Sequence, residues 1–100
     1  MGEQSLKQQL FEELSHISAA MSSPVRLEIM EMLAQGVFSV EALAKKLGIS
    51  VANTSQHLQK MKHARLVKAE KSGKQHFYHL ASPQVYQLLE SMINLGVSRS

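Results

Sequence analysis

Asn53, Gln56, His57 and Lys60 recur at i, i+3, i+4 and i+7 in the middle of the chain. On a helix that turns about 100° per residue these four share one face. Asparagine and glutamine carry a donor beside an acceptor and can pair twice with an adenine edge, while lysine and hydroxyl groups bond phosphate oxygens. A carboxylate there would be repelled by phosphate, and the sequence has none between Glu41 and Glu70. Thr54, Ser55 and Gln59 sit at the margins, and Val51, Leu58 and Met61 fall on the opposite, packed side. The chemistry expected is base reading by Asn53, Gln56 and His57, with Thr54, Ser55, Lys60 and Lys62 positioned on phosphates. An ordinary solvent-exposed polar helix is the plainer alternative, but such a helix would normally mix in glutamate.

The element that must hold this face is a helix from Val51 to about Ala64, with Ser50 as its expected N-cap. Its N-terminal end has the favourable sign for phosphate. Just upstream, Val40, Leu43, Ala44 and Leu47 give an amphipathic helix that starts near Ser39 and ends at Gly48. Two short helices joined by Gly48-Ile49-Ser50 are a helix-turn-helix by spacing.

The remaining elements frame this pair. Leu10, Leu14, Ile17 and Met21 form a narrow stripe on a first helix from about Leu6 to Met21. A second helix opens at Ser23-Pro24, a cap followed by proline at the first helical position, and carries Val25, Ile29, Met30 and Leu33 before Gly36. Leu66–Lys71 and Gln75–Leu80 read as strands around Lys71-Ser72-Gly73-Lys74, a short hairpin. Ser82-Pro83 repeats the cap-plus-proline start, followed by Val85, Leu88, Leu89 and Met92 at i, i+3, i+4 and i+7. The expected fold is mainly α with a small β-hairpin, ordered helix, helix, helix, helix, hairpin, helix, in a single domain over residues 1–100.

Charge follows the same layout. From Lys45 to His79 there are eight lysines and arginines against a single acid, Glu70, whereas the rest of the chain is acidic overall. A basic middle between acidic flanks is the footprint of a polyanion-binding surface, or else a solvated lysine-rich face. Lys71 and Lys74 flank the hairpin tip, with His76 close by. Beside a helix-turn-helix such a hairpin would be a wing gripping phosphates or a minor groove. Lysines that merely keep a hairpin soluble are the alternative.

Composition closes off other classes. One hundred residues allow one small core. The absence of cysteine excludes disulfides, zinc-thiolate sites and thiol chemistry. No apolar run approaches the roughly 18 residues a membrane span needs, and the start, Met1 to Lys7, is polar. No signal peptide is expected, and the cytoplasm is the default location. A glycine-rich phosphate loop and an HExxH motif are both missing, and the nearest acid–base set, Glu12, Glu13 and His16, has no evident orienting partner. Neither an enzyme nor a cofactor is expected.

The runs Ser23-Pro24-Val25-Arg26-Leu27-Glu28-Ile29-Met30, Leu43-Ala44-Lys45-Lys46-Leu47-Gly48-Ile49-Ser50 and Ser55-Gln56-His57-Leu58, then Leu66-Val67 before Gly73 and Tyr78, together resemble the ArsR (arsenic-repressor) family of winged-helix repressors. The resemblance covers about Ser18 to Met92 and implies a homodimer that binds an inverted-repeat operator in double-stranded DNA and blocks transcription until an inducer releases it. It also implies a dimer built from the first and last helices, which agrees with the stripes at Leu10, Leu14, Ile17 and Met21 and at Val85, Leu88, Leu89 and Met92. By sequence alone those stripes could equally be intrachain core. Such a dimer should set its recognition helices roughly 34 Å apart, one DNA turn.

The family's familiar sensory sites do not carry over. Phe38-Ser39-Val40-Glu41-Ala42 holds no thiol where one site type needs cysteines, and Pro83 to Glu90 holds no histidine where another needs aspartate and histidines. His57 and His63 do not share a helix face, and His76 and His79 point to opposite faces of a strand. Glu12 and His16 at i, i+4 could meet a metal across a dimer, though such pairs are more often surface contacts. No metal site is expected. The inducer is unknown. A small molecule held among Met21, Met30, Met32, Met61 and Met92 is one option, against the plain reading of methionines as adaptable core. Two alternatives remain. One is a winged helix that docks a protein, which the lack of apolar anchors on the polar face opposes. The other is the DNA-binding part of a longer protein, because Ser50–Gln59 is similar to modules fused to rhodanese-type sulfur-transfer domains, and Gly96–Ser100 reads as either a terminus or a cut linker.

Overall fold

The structure is a computed structural model and describes residues 2–98. Arg99 and Ser100 of the polar tail lie outside the described residues. The elements are α1 (Glu3–Ala20), α2 (Pro24–Leu33), β1 (Phe38–Ser39), α3 (Val40–Leu47), α4 (Val51–His63), β2 (Val67–Ser72), β3 (Gln75–Leu80) and α5 (Pro83–Val97). This is the expected mainly helical order with the hairpin inserted before the last helix.

Local chemistry sets most boundaries. Ser23, Ser39 and Ser50 cap α2, α3 and α4, their hydroxyls accepting from the backbone N–H of Arg26, Ala42 and Asn53 at 3.3, 3.1 and 3.0 Å. At the end of α3 the Gly48 and Ile49 N–H groups close on the Lys45 and Ala44 carbonyls, with Gly48 at φ 70°. At the end of α4 the same pair of bonds runs from Arg65 to Lys62 and from Leu66 to Met61, at 3.0 and 2.9 Å, with Arg65 at φ 63°. Ser82 precedes Pro83 as the sequence suggests, but its side chain makes no capping bond to α5.

The sheet has order β1-β3-β2 and is antiparallel throughout. Its first strand goes beyond the expected hairpin: Phe38 pairs with Tyr78 and Ser39 with Phe77. Two residues show no alternation to read, and Ser39 both ends this strand and caps α3. Gly73-Lys74 is a two-residue connection with Gly73 at φ 64°, where a tight hairpin turn favours glycine.

One core holds these pieces together. Ile29 and Met30 of α2, Leu43 of α3, Leu58 and Met61 of α4, and Leu66 and Val67 at the start of the hairpin are its fully buried side chains. Met21 also lies in this core, so three of the five methionines weighed as pocket linings are packing residues. The terminal helices touch the core by one edge only. Ala20 and Met21 anchor the end of α1, and Val85 and Leu89 anchor α5. Three of the eight residues in the two stripes, Met21, Val85 and Leu89, are therefore committed to the chain's own core, and Ile17 packs partly against it.

Candidate nucleic-acid interface

Helix α4, which carries the candidate reading face, is fixed at its start and along its back. Besides the Ser50 cap, the Thr54 hydroxyl donates to the Ser50 carbonyl at 2.9 Å. Thr54 is fully buried, with Leu58 and Met61 below it at i+4 and i+7. This corrects the sequence reading twice. Thr54 belongs to the packed stripe and has no access to phosphate. Val51, assigned to that stripe, is 45% exposed, because at the first helical position its side chain overhangs the helix end.

Asn53, Gln56, Gln59, Lys60 and Lys62 are exposed along α4, and Ser55 is partly buried at the margin. Ser50 is exposed, but its hydroxyl oxygen already accepts the Asn53 N–H. Lys60 and Lys62 lie in the last turn, where cations also complement the helix dipole.

His57 is held from behind. Arg26 reaches across from α2: its Nη1 lies 3.2 Å from His57 Nδ1. Its Nε donates to the Ala20 carbonyl at 2.6 Å and its Nη2 to Ala19 at 3.2 Å. Guanidinium only donates, so Nδ1 accepts and the imidazole carries its proton on Nε2. Burial first, then the charges of Arg26 and Lys60, pushes the His57 pKa below its ordinary value of 6.5. A neutral His57 leaning on Arg26 fits helix packing better than direct base reading. The sequence reading missed Arg26 as a joint. The available signal was that α1 has no basic residue in its last turn to meet its own carbonyls.

On the wing, Lys71, Lys74 and His76 are all exposed. Lys71 is directly opposite His76 in the β2–β3 register, so the two share a face. That face also carries Val67, Ala69 and Tyr78 into the protein. Glu70, the one acid of the basic stretch, lies on the other face with its carboxylate 3.4 Å from His79 Nε2. The register thus separates the acid from the two basic side chains near the tip.

Among the described residues no cluster of three or more His, Cys, Asp or Glu side chains could hold a metal, and no helix is long and apolar enough to cross a membrane.

The family model described as "Bacterial regulatory protein, arsR family" matches residues 23–69, from the second helix through the first half of β2. The solution structure of a homodimeric winged helix-turn-helix DNA-binding domain from Mycobacterium bovis, a possible ArsR-family regulator, is similar with a TM-score of 0.92 at 28% identity. The match covers 99% of this chain and 92% of that one. NolR from Sinorhizobium fredii is similar with a TM-score of 0.81 at 28% identity, over 95% of this chain and 93% of its own. The biofilm growth-associated repressor of Xylella fastidiosa is 30% identical over 83 residues, 83% of this chain and 73% of that one. An HTH-type transcriptional regulator of Mycobacterium tuberculosis is 32% identical over 87 residues, and the chain spans only 38% of its length. The two mycobacterial relatives and the Xylella protein are named as regulators or a repressor, none as an enzyme. The capped helix pair, the hairpin wing and the matched segment place this chain in the ArsR family of bacterial regulatory proteins, as a winged helix-turn-helix transcriptional regulator.

Proposed function

We propose that the chain acts in the cytoplasm as a homodimeric, sequence-specific repressor of an inverted-repeat operator, released by a signal other than a thiol-bound metal. Residues 1–100 form its DNA-binding domain, with the first and last helices pairing across the two-fold axis. The observation that carries the reading is the exposed, carboxylate-free face of α4 on a helix whose start and back are pinned. Asn53 and Gln56 read bases in the major groove, with His57 held behind them by Arg26. Ser50, Ser55, Gln59, Lys60 and Lys62 meet the backbone. Lys71, Lys74 and His76 grip from the wing.

Dimerisation is supported by the apolar side chains left uncovered: Leu10 and Leu14 on α1, and Leu88 and Met92 on α5. Large apolar side chains left in water on both helices are what an interaction surface would cover. The M. bovis domain that this chain matches over nearly its whole length is itself named homodimeric.

The test is fluorescence anisotropy with the DNA upstream of the chain's own gene, against a scrambled duplex, across a salt series. Tight binding to the first alone with a steep salt slope is the expected result. Equal, weak binding to both, together with no enriched sequence in a selection from random DNA, sinks the repressor reading in favour of a protein-docking winged helix.

A further inference from the structure

The Arg26 joint borders a cavity that shares only Gln59 and Lys60 with the proposed DNA-binding surface. It has a volume of about 530 Å³ and opens between α1, the start of α2 and the second half of α4. His16, Ala19 and Ala20 line it from α1, at i, i+3 and i+4. Lys60, His63 and Ala64 line it from α4 at the same spacing, beside Gln59. Three alanines leave the space open, because a longer side chain at any of them would fill it. Arg26 and Lys60 bring two permanent positive charges to the lining, and no carboxylate lines it.

Among the described residues neither cation has a carboxylate within ion-pair distance. Arg26 has five N–H groups and spends three, on the Ala19 and Ala20 carbonyls and on His57 Nδ1. Among the described residues the one ion pair is that of His79 with Glu70, far along the chain from this cavity. The pair of unopposed charges is felt by its neighbour, since both cations help hold His57 neutral.

We infer that this cavity binds a small organic carboxylate: one anionic head for Arg26 and Lys60, and an apolar body against Ala19, Ala20 and Ala64. The volume falls within the range of small-molecule sites, and a guanidinium fork is matched to a carboxylate. A bare phosphate would satisfy the cations but leave the alanine floor uncovered. Occupation has a consequence that rests on the DNA-binding reading. The ligand's head competes with backbone phosphate for Lys60 and with His57 for Arg26, so it loosens the back of the reading helix as it takes a phosphate contact away.

The experiment is an NMR titration of the isotope-labelled chain without DNA, using sodium hexanoate, 1-hexanol and inorganic phosphate in separate arms. Hexanoate should give saturable shifts at Ala19, Ala20, Lys60 and Ala64, while phosphate should give at most weak shifts confined to Lys60 and hexanol none. Lys60→Gln should weaken hexanoate binding about tenfold by removing a charge-assisted contact. Ala19→Leu, which keeps helix propensity on an exposed position, should abolish binding by filling the space. Equal response to phosphate would reduce the site to a general anion patch, and equal response to hexanol would reduce it to an apolar groove. Either result overturns the inference, as does the absence of saturable shifts or indifference to both variants. Because no DNA is present, a failed titration leaves the operator reading intact, and a failed operator search leaves the titration meaningful.

Discussion

The helix pair α3–α4 and the terminal helices α1 and α5 solve opposite problems. Both members of the central pair carry serine caps, bury most of an apolar stripe and turn polar groups outward. The terminal helices lack a side-chain cap at their starts, sink one edge into the core and leave Leu10 and Leu14 at 55% and 45% exposure. A helix with its own caps and a closed back can present a rigid polar face to a ligand. A helix without them, showing leucine to water, is completed by another surface. The chain thus has a polar end at the helix pair and an apolar end on the terminal helices, the surfaces proposed above to meet DNA and a second copy, with Arg26 bridging α1 to α4.

The largest expected effect comes from making the apolar end polar. Leu10→Asp with Leu14→Asp should convert the dimer to a folded monomer in sedimentation. It should also weaken operator binding by about a hundredfold or more, as loss of central apolar anchors does. A dimer that survives both changes would remove the distinction between the two ends. Leu58→Ala tests the closed back of the reading helix. It should cost about 2–5 kcal/mol in denaturant unfolding, and a change under about 1 kcal/mol would show that the stripe is not the support described. Gln56→Ala sharpens the polar end: operator affinity should fall by about 1–3 kcal/mol, with scrambled DNA nearly unaffected. Unchanged affinity and preference would move the reading face elsewhere. Lys71→Ala should weaken binding evenly across sequences and flatten the salt slope by about one unit.

The smallest effect is a pH dependence. The folded His57 pKa lies below 6.5, so as pH falls through that value the unfolded chain takes up a proton before the folded one does. Stability contributed by neutral His57 is fully present above 6.5, declines as pH falls towards the lower folded value, and is level below it. Subtracting the melting curve of His57→Gln from that of the parent across this window isolates the contribution, and an upward trend on acidification would contradict the Arg26 contact.

Periodicity and punctuation made most of this legible in advance. Ser50, Gly48 and the Ser23-Pro24 pair announce their boundaries because a cap is a local event, decided by two or three residues. Thr54 and Val51 were assigned the wrong way round because heptad spacing treats every position on a stripe alike. The structure shows that a residue at the first helical position has nothing beneath it. β1 could not be read, since two residues show no alternation and their partners lie in a strand some forty residues further on. The Arg26–His57 contact was equally hidden, as it joins side chains 31 residues apart with β1 and α3 between them. Which leucines stay in water and which enter the core depends on the tilt of α1 and α5 against the rest, a tertiary quantity that their stripes do not encode.

Arg65 shows what one backbone angle imposes. Its left-handed conformation closes the end of α4 with the same two bonds that Gly48 provides for α3, but without a glycine. An arginine there costs about 1 kcal/mol or more relative to glycine, and the next two residues, Leu66 and Val67, are locked in the core. The joint between reading helix and wing is therefore a welded corner rather than a hinge. If α4 enters a DNA groove as proposed, a tilt that lifts the helix out of it should carry the lysines at the hairpin tip with it.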